Sequence, residues 1–337
     1  MTIKVVIIDD SALMRKVITN VLSECIGIEV VETARNGVEA MKIIEQVKPD
    51  IVTLDVEMPV MDGLETLQAI KESYSIPVIM LSSKSNEETT IQALEYGAED
   101  FIEKPISIAK NWTAFKKDLE RRILAHFKTD SDDYYPSSPS ISLPNELMNK
   151  KNQLKAIVIG ASTGGPRALV SLIQSLPDTL SIPVFIVQHM PEGFTASFAK
   201  RLNDVSSVKV VEASHGDLIV PGTVYVAPGG KHMTLSGNRV LLDTKAKLHS
   251  VRPAVDYLFY SAVDLYGKDL LGIVLTGMGQ DGADGCRAIK EAGGYVITQD
   301  QASSTVYGMP RVVAERGFSD QINSLSDIAD IIKEMTR

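Results

Sequence analysis

The sequence predicts an α/β protein of two domains, and three observations carry that prediction. The chain has 337 residues, and at roughly 100–200 residues per domain each half is long enough to bury its own core. Continuous Val/Ile-rich runs alternate with amphipathic helical stretches in both halves, the pattern of parallel strands covered by helices on both faces. Between the halves, residues 129–150 hold five serines, three prolines and four acidic side chains with no apolar period, a composition that suits a flexible to semi-extended linker. The expected organisation is a first domain over residues 1–128, a linker over 129–150 and a second domain over 151–337.

In the first domain the strands read Ile3–Ile8, Glu29–Ala34, Ile51–Leu54, Val78–Leu81 and Asp100–Ile102, with helical patterns between them and after the last. Five such βα units make a doubly wound (βα)5 sheet. In the second domain, apolar runs at Ala156–Ile159, Val184–Val187 and Gly272–Leu275 each lead through a Gly-rich or polar turn into a helical pattern. Between the second and third runs, Ser236-Gly237-Asn238 separates Met233-Thr234-Leu235 from Val240-Leu241-Leu242, which predicts an antiparallel β insertion in a mainly parallel domain. Four glycines fall in residues 1–128 and nineteen in 151–337, so the second domain depends far more on tight turns.

The net charge of −9 is uneven: −6 lies in residues 1–128, −3 in 129–150, and residues 151–337 are neutral with 18 charges of each sign. Without a Lys/Arg cluster the chain lacks the electrostatic footprint of a nucleic-acid binder. No apolar run approaches the roughly 18 residues of a membrane span, and the first apolar stretch is cut off by Asp9 and Asp10, so neither insertion nor a signal peptide is expected. The expected location is the cytoplasm. Cys25 and Cys286 lie on opposite sides of the linker at helical spacing from Leu22 and Ile289, which reads as core packing rather than a disulfide.

Chemistry in an open parallel sheet collects at the carboxyl ends of its strands. In the first domain those ends carry Asp9 and Asp10, Asp55, Ser82 and Ser83, and Lys104-Pro105. Mutually repelling carboxylates call for a hard, oxygen-preferring divalent ion such as Mg²⁺. Asp55 sits centrally as a nucleophile, and Lys104 and Ser82 are placed to hold the oxygens of an incoming phosphoryl group. Together, Val5-Val6-Ile7-Ile8-Asp9-Asp10, Leu54-Asp55-Val56-Glu57-Met58-Pro59, Leu81-Ser82-Ser83 and Glu103-Lys104-Pro105 resemble the receiver domain of two-component response regulators over about residues 1–125. The resemblance implies that Asp55 is the phospho-acceptor. It also implies that Mg²⁺ is held by Asp10 and Asp55 with help from Asp9 and the backbone carbonyl of Glu57, and that Phe101 occupies the position of an aromatic switch.

In the second domain, Gly160-Ala161-Ser162-Thr163-Gly164 matches the G-x-S-x-G pattern that exposes a nucleophilic hydroxyl on a strand-to-helix turn. Glycine-rich turns of this kind also bind dinucleotide phosphates. Against that alternative, G-x-G-x-x-G spacing is absent and the next strand ends in Gln188-His189 rather than an acid. Of the five histidines, His189 directly follows a buried strand on the rim that Ser162 occupies and is the candidate general base. His215, His232 and His249 fall in the turn-rich insertion or its exit, where solvated or structural roles are common. Asp281 follows a third strand and is the candidate orienting acid, with a helix N-cap as the alternative reading. The Gly277-Met278-Gly279 segment can bring the Met278 N–H toward an oxyanion.

These stretches, with Tyr225-Val226-Ala227-Pro228-Gly229-Gly230-Lys231-His232 and Arg252-Pro253-Ala254-Val255-Asp256, resemble the catalytic domain of the chemotaxis protein-glutamate methylesterase (CheB) family over roughly residues 152–335. The resemblance implies hydrolysis of glutamate γ-methyl esters on methyl-accepting chemotaxis receptors, with glutamine deamidation as a further activity and no cofactor for the ester chemistry. It implies catalytic Ser162, His189 and Asp281, with Thr163 and Met278 supporting the oxyanion. The receiver would be phosphorylated by the chemotaxis histidine kinase CheA, and the protein is expected to be a monomer. Asn111-Trp112-Thr113-Ala114-Phe115 resembles the Asn-Trp-x-x-Phe tail of some chemoreceptors, but its place in the last receiver helix reads better as packing.

Overall fold

The computed structural model describes residues 2–105, 108–127, 151 and 153–336, and the segment 129–150 read as a linker lies outside them. The chain forms two compact units, Met1–Ser131 and Asp132–Arg337.

The first unit runs β1 (Ile3–Ile8), α1 (Ala12–Ser23), β2 (Ile28–Ala34), α2 (Gly37–Val47), β3 (Ile51–Asp55), α3 (Gly63–Ser73), β4 (Val78–Ser82), α4 (Glu87–Glu95), β5 (Asp100–Glu103) and α5 (Ile108–Ala125). Its five strands pair in parallel in the order β2-β1-β3-β4-β5. The central strands β3 and β4 are buried at every position, as the unbroken apolar runs require of a sheet covered on both faces. Alternation sends every second side chain of a strand to the same face of the sheet. Val5, Ile7, Ile51, Ile79 and Leu81 pack with Ile18 and Leu22 of α1 and Leu119 and Ile123 of α5. The strand order reverses between β1 and β3, which opens a crevice beyond their carboxyl ends. The connection out of β3 is drawn tight there. The Gly63 N–H donates to the Val56 carbonyl at 3.0 Å, and a Cβ on Gly63 would lie 2.2 Å from the Asp55 carbonyl oxygen. The Asp62–Glu65 capping box then starts α3 at that point.

The second unit runs β6 (Ala156–Ala161), α6 (Gly165–Gln174), β7 (Val184–Gln188), α7 (Phe194–Val205), β8 (Lys209–Glu212), β9 (Thr223–Val226), β10 (His232–Ser236), β11 (Arg239–Asp243), α8 (Val255–Tyr266), β12 (Leu270–Val274), α9 (Ala283–Glu291), β13 (Tyr295–Gln299), α10 (Met309–Glu315), β14 (Gln321–Asn323) and α11 (Leu325–Thr336). Seven parallel strands pair in the order β14-β13-β12-β6-β7-β9-β8. The antiparallel insertion is the hairpin that Ser236-Gly237-Asn238 indicates, formed by β10 and β11, while β8 and β9 join the main sheet in parallel beyond β7. Here the order reverses between β6 and β12. Cys25 and Cys286 are both free and buried, as their spacing indicates.

Candidate functional site

In the first unit the reversal point gathers the expected acids. Asp9 is fully buried, Asp55 nearly so, and Asp10 is exposed. One oxygen from each of Asp9, Asp10 and Asp55 lies within 4.8 Å of the others. The Lys104 Nζ reaches in from the end of β5, 2.8 Å from Asp9 Oδ2 and 2.7 Å from Asp55 Oδ1. The Arg15 guanidinium ties down the β1–α1 turn by donating to the carbonyls of Asp9 at 2.7 Å and Asp10 at 3.0 Å. One ammonium does not balance three carboxylates. Burial, with Asp9 and Asp10 adding to it against Lys104, pushes Asp55 up to about 6. Burial opposes the charge on Lys104 too, but Asp55 and Asp9 outweigh it and raise the lysine. An all-oxygen donor set short of positive charge fits a hard divalent cation such as Mg²⁺. Ser82 is fully buried at the end of β4, its hydroxyl 2.5 Å from Thr90 Oγ1 and donating to the Ser83 carbonyl at 3.1 Å. Phe101 is buried on β5 and Glu57 is exposed two residues beyond β3. Phe115 is buried on α5, whereas the side chains of Asn111 and Trp112 lie outside the described residues.

In the second unit three neighbouring strands deliver the other candidates. Ser162 follows β6, its N–H donating to the Thr276 carbonyl beyond β12 at 3.1 Å. His189 follows β7, its N–H donating to the Ala161 carbonyl at 3.0 Å. Ser162 and His189 therefore start from adjacent positions of one rim. The turn after Ser162 needs small residues. Gly164 has φ 76° and a Cβ on it would lie 2.5 Å from Thr305, while a Cβ on Gly277 would lie 2.7 Å from that of Ser162. The hydroxyl of Ser162 makes no hydrogen bond among the described residues. By contrast, His189 Nε2 is 2.7 Å from Asp281 Oδ2, with both side chains largely buried.

Asp281 is not the cap of its own helix. Gly282 precedes α9, and the Asp281 carboxylate instead accepts the N–H groups that open α8, Val255 at 2.7 Å and Asp256 at 3.1 Å. Burial penalises its charge, but His189 and these two N–H groups more than offset that and hold Asp281 below the usual carboxylate range. The rest of the rim is braced by polar groups that the sequence reading did not single out. The buried Gln188 donates from Nε2 to the carbonyls of both Ser162 at 3.0 Å and His189 at 3.1 Å. The Thr276 hydroxyl donates to the carbonyl of the buried Thr163 at 3.0 Å, and the Thr276 N–H donates to Gln299 Oε1 at 2.8 Å. Met278 is half-buried in a loop pinned by the Met309 N–H donating to the Gly277 carbonyl at 2.7 Å. Gln188 and Gln299 carried a readable signal, a polar side chain closing a buried strand.

Family profiles divide the chain along the same line: the response regulator receiver domain matches residues 5–115 and the CheB methylesterase matches residues 157–332. A protein-glutamate methylesterase/protein-glutamine glutaminase of Clostridium acetobutylicum is 42% identical over 343 residues, covering 99% of this chain and 98% of its own. The protein of that name from Bacillus subtilis is 42% identical over 348 residues, covering 97% and 96%. The crystal structure of the Thermotoga maritima CheB methylesterase catalytic domain superposes with a TM-score of 0.53 at 41% identity, covering 54% of this chain and 98% of that one. Two reversal points of known kind on one chain, and full-length relatives that carry both, establish that this protein belongs to the CheB family of protein-glutamate methylesterases, a response regulator receiver joined to a methylesterase domain.

Proposed function

We propose that the protein is a phosphorylation-activated serine esterase that hydrolyses glutamate γ-methyl esters, and deamidates glutamines, on chemoreceptors in bacterial sensory adaptation. The observation that carries this reading is the buried His189–Asp281 pair on the rim that also holds Ser162. With Nε2 engaged by Asp281, the neutral ring keeps its proton there and has Nδ1 free to act as base. Ser162 Oγ attacks the ester carbonyl as its proton passes to His189 Nδ1, and Asp281 stabilises the imidazolium. The Met278 N–H, with Thr163 holding the turn, supports the oxyanion. Collapse expels the methoxy group, which takes the proton from His189 and leaves as methanol. Water then attacks the acyl-enzyme with His189 again as base, releasing glutamate and regenerating Ser162. The amide of a glutamine follows the same course with ammonia as the leaving group.

In the receiver, Asp55 accepts a phosphoryl group from the chemotaxis kinase CheA, with Lys104 and Ser82 on its oxygens and Phe101 responding to the change. Asp9, Asp10, Asp55 and the Glu57 carbonyl would hold Mg²⁺, which when bound supplies charge neutralisation for phosphoryl transfer. The phosphoryl group adds up to about two negative charges to an acidic rim, enough to bias an equilibrium that controls access to the esterase site. Methanol release from methylated receptor membranes tests the whole reading. Ser162→Ala abolishes it, and a small acyl phosphate accelerates it in full-length protein. If a fragment of residues 151–337 is no faster than unphosphorylated full-length protein, relief of obstruction is the wrong account of activation.

A further inference from the structure

One carboxamide joins the residue that carries the nucleophile to the residue that carries the base. Gln188 closes β7 and is 2% exposed. It pairs with Ala161, the last residue of β6, so its side chain stands beside the turn that begins at Ser162. Its Nε2 donates to the Ser162 carbonyl at 3.0 Å and to the His189 carbonyl at 3.1 Å. With carbonyl oxygens as both neighbours, the amide has one workable orientation, nitrogen toward the turn. The other end then suffers: Gln188 Oε1 is buried with no hydrogen-bond partner among the described residues. An unpaired buried acceptor is rare in a native fold and calls for a reason. This one lies against Gly165, the first residue of α6, where a Cβ would be 2.1 Å from Oε1 and 2.9 Å from the Ala161 Cβ. Gly165 is not among the glycines with positive φ, so its missing side chain makes room for the carboxamide rather than for a strained turn.

The carbonyl that Gln188 holds belongs to the peptide unit that carries the Thr163 N–H. The Ser162 carbonyl also accepts the Gly165 N–H at 2.7 Å, and the Thr163 carbonyl accepts the Thr276 hydroxyl at 3.0 Å. The peptide planes on both sides of Thr163 are thereby pinned. In a planar trans peptide the C=O and N–H point in opposite directions. Holding the Ser162 carbonyl toward Gln188 and Gly165 therefore aims the Thr163 N–H away from them. Thr163 is 3% exposed, and its N–H donates to no acceptor among the described residues. Buried N–H groups are almost always paired. In a G-x-S-x-G turn, the N–H that follows the nucleophile is one that meets the developing oxyanion.

We propose that Gln188 is a positioning residue for the esterase: its carboxamide fixes the Ser162–Thr163 peptide so that the Thr163 N–H is preset as an oxyanion donor, and ties that donor to the strand end that carries His189. The inference rests on the Ser162–His189–Asp281 reading and deepens it. Gln188 itself touches no reacting atom. What it supplies is the direction of a donor whose bond strengthens as charge develops on the carbonyl oxygen, so its contribution belongs to the transition state rather than to substrate binding.

The test uses full-length protein and two substitutions. Gln188→Met keeps the length of the side chain and removes both donors; Gly165→Ala keeps Gln188 but sets a methyl group where Oε1 lies. Circular dichroism and thermal melting establish that each is folded. Methanol release from methylated receptor membranes should lose about 10–100-fold in kcat with KM little changed. The route through the oxyanion is read with a fluorophosphonate that phosphonylates reactive serines, fluoride leaving, and with its P=S analogue. Sulfur accepts hydrogen bonds less well than oxygen, so the wild-type preference for P=O reports on the oxyanion donors, and both variants should lower that preference several-fold. The double variant should fall no further than either single one, because both changes remove the same support. Wild-type kcat in Gln188→Met, or in Gly165→Ala should the first not fold, overturns the proposal. So does a loss of rate with the P=O preference unchanged, which is what a merely structural role would give. Labelling that survives in Ser162→Ala overturns the underlying esterase reading instead.

Discussion

Asp281→Asn isolates the electrostatic part of the esterase site from its shape. In the wild type, Asp281 Oδ2 receives both the His189 Nε2–H at 2.7 Å and the Val255 N–H at 2.7 Å, and Oδ1 receives the Asp256 N–H at 3.1 Å. An asparagine has one acceptor oxygen for these three donors. If its oxygen serves His189 and Val255, its amide nitrogen confronts the Asp256 N–H. If it serves Asp256, the nitrogen confronts His189 and forces the ring into the wrong tautomer. Either way a buried donor loses its acceptor, a loss of about 1–3 kcal/mol in stability. The kinetic loss is larger, because the imidazolium formed during acyl transfer no longer faces a charge. The corresponding change in a serine-protease triad costs about 10⁴ in kcat. We expect methanol release to fall by about 10³–10⁴ with KM little changed, and the folded protein to melt a few degrees lower. A variant that retains more than about a tenth of wild-type kcat would show that Asp281 does not serve His189, and that its role ends with capping α8.

Other substitutions probe the two rims separately. Asp55 is held up to about 6, roughly two units above the unfolded value, and a raised carboxylate favours folding at low pH and loses that benefit as pH rises through the folded value. At pH 7 this is a penalty of about 2–3 kcal/mol, so Asp55→Asn should raise the receiver's melting temperature at pH 7 and much less at pH 4; equal melting at pH 7 would contradict the charge-crowding account. Asp55→Asn should also abolish labelling by a radioactive acyl phosphate, and Mg²⁺ should raise the melting temperature of wild type more than that of the variant. Gly277→Ala sets a Cβ 2.7 Å from that of Ser162, and is expected to slow methanol release at least about tenfold while circular dichroism stays unchanged; wild-type turnover would mean that the 277–279 loop yields freely.

The strand ends that carry the candidate site residues were legible because each residue closes or follows an apolar-rich run: Asp9 after β1, Asp55 closing β3, Ser162 after β6, His189 after β7. Strands β8 and β9 were not. They are four residues each, β8 is partly exposed at the sheet edge, and the hairpin signals next to them outweigh their weak alternation. The role of Asp281 was legible only in part: its position ahead of a helix predicts a cap, but which helix it caps depends on the crossing of α8 and α9, which no local pattern encodes. The sequence reads His249 as solvated or structural from its place after the hairpin, but its partner Asp256 lies seven residues on across a backbone reversal. Side chains that meet through tertiary crossing, rather than by strand period, are the ones a linear pattern leaves out.

The same architectural device serves both sites with opposite electrostatic sign. At the receiver's reversal point three carboxylates face one ammonium, and the central one is pushed up to about 6. That imbalance is unfavourable in the resting protein, and a hard divalent cation would relieve it. At the esterase's reversal point the carboxylate that faces His189 has three donors and is held below its usual range. An orienting acid has to be ionised before substrate arrives, so its compensation must be complete and built into the fold. The helix start that supplies two of those donors also carries Asp256, so the device that secures the charge on Asp281 places a competing carboxylate beside it.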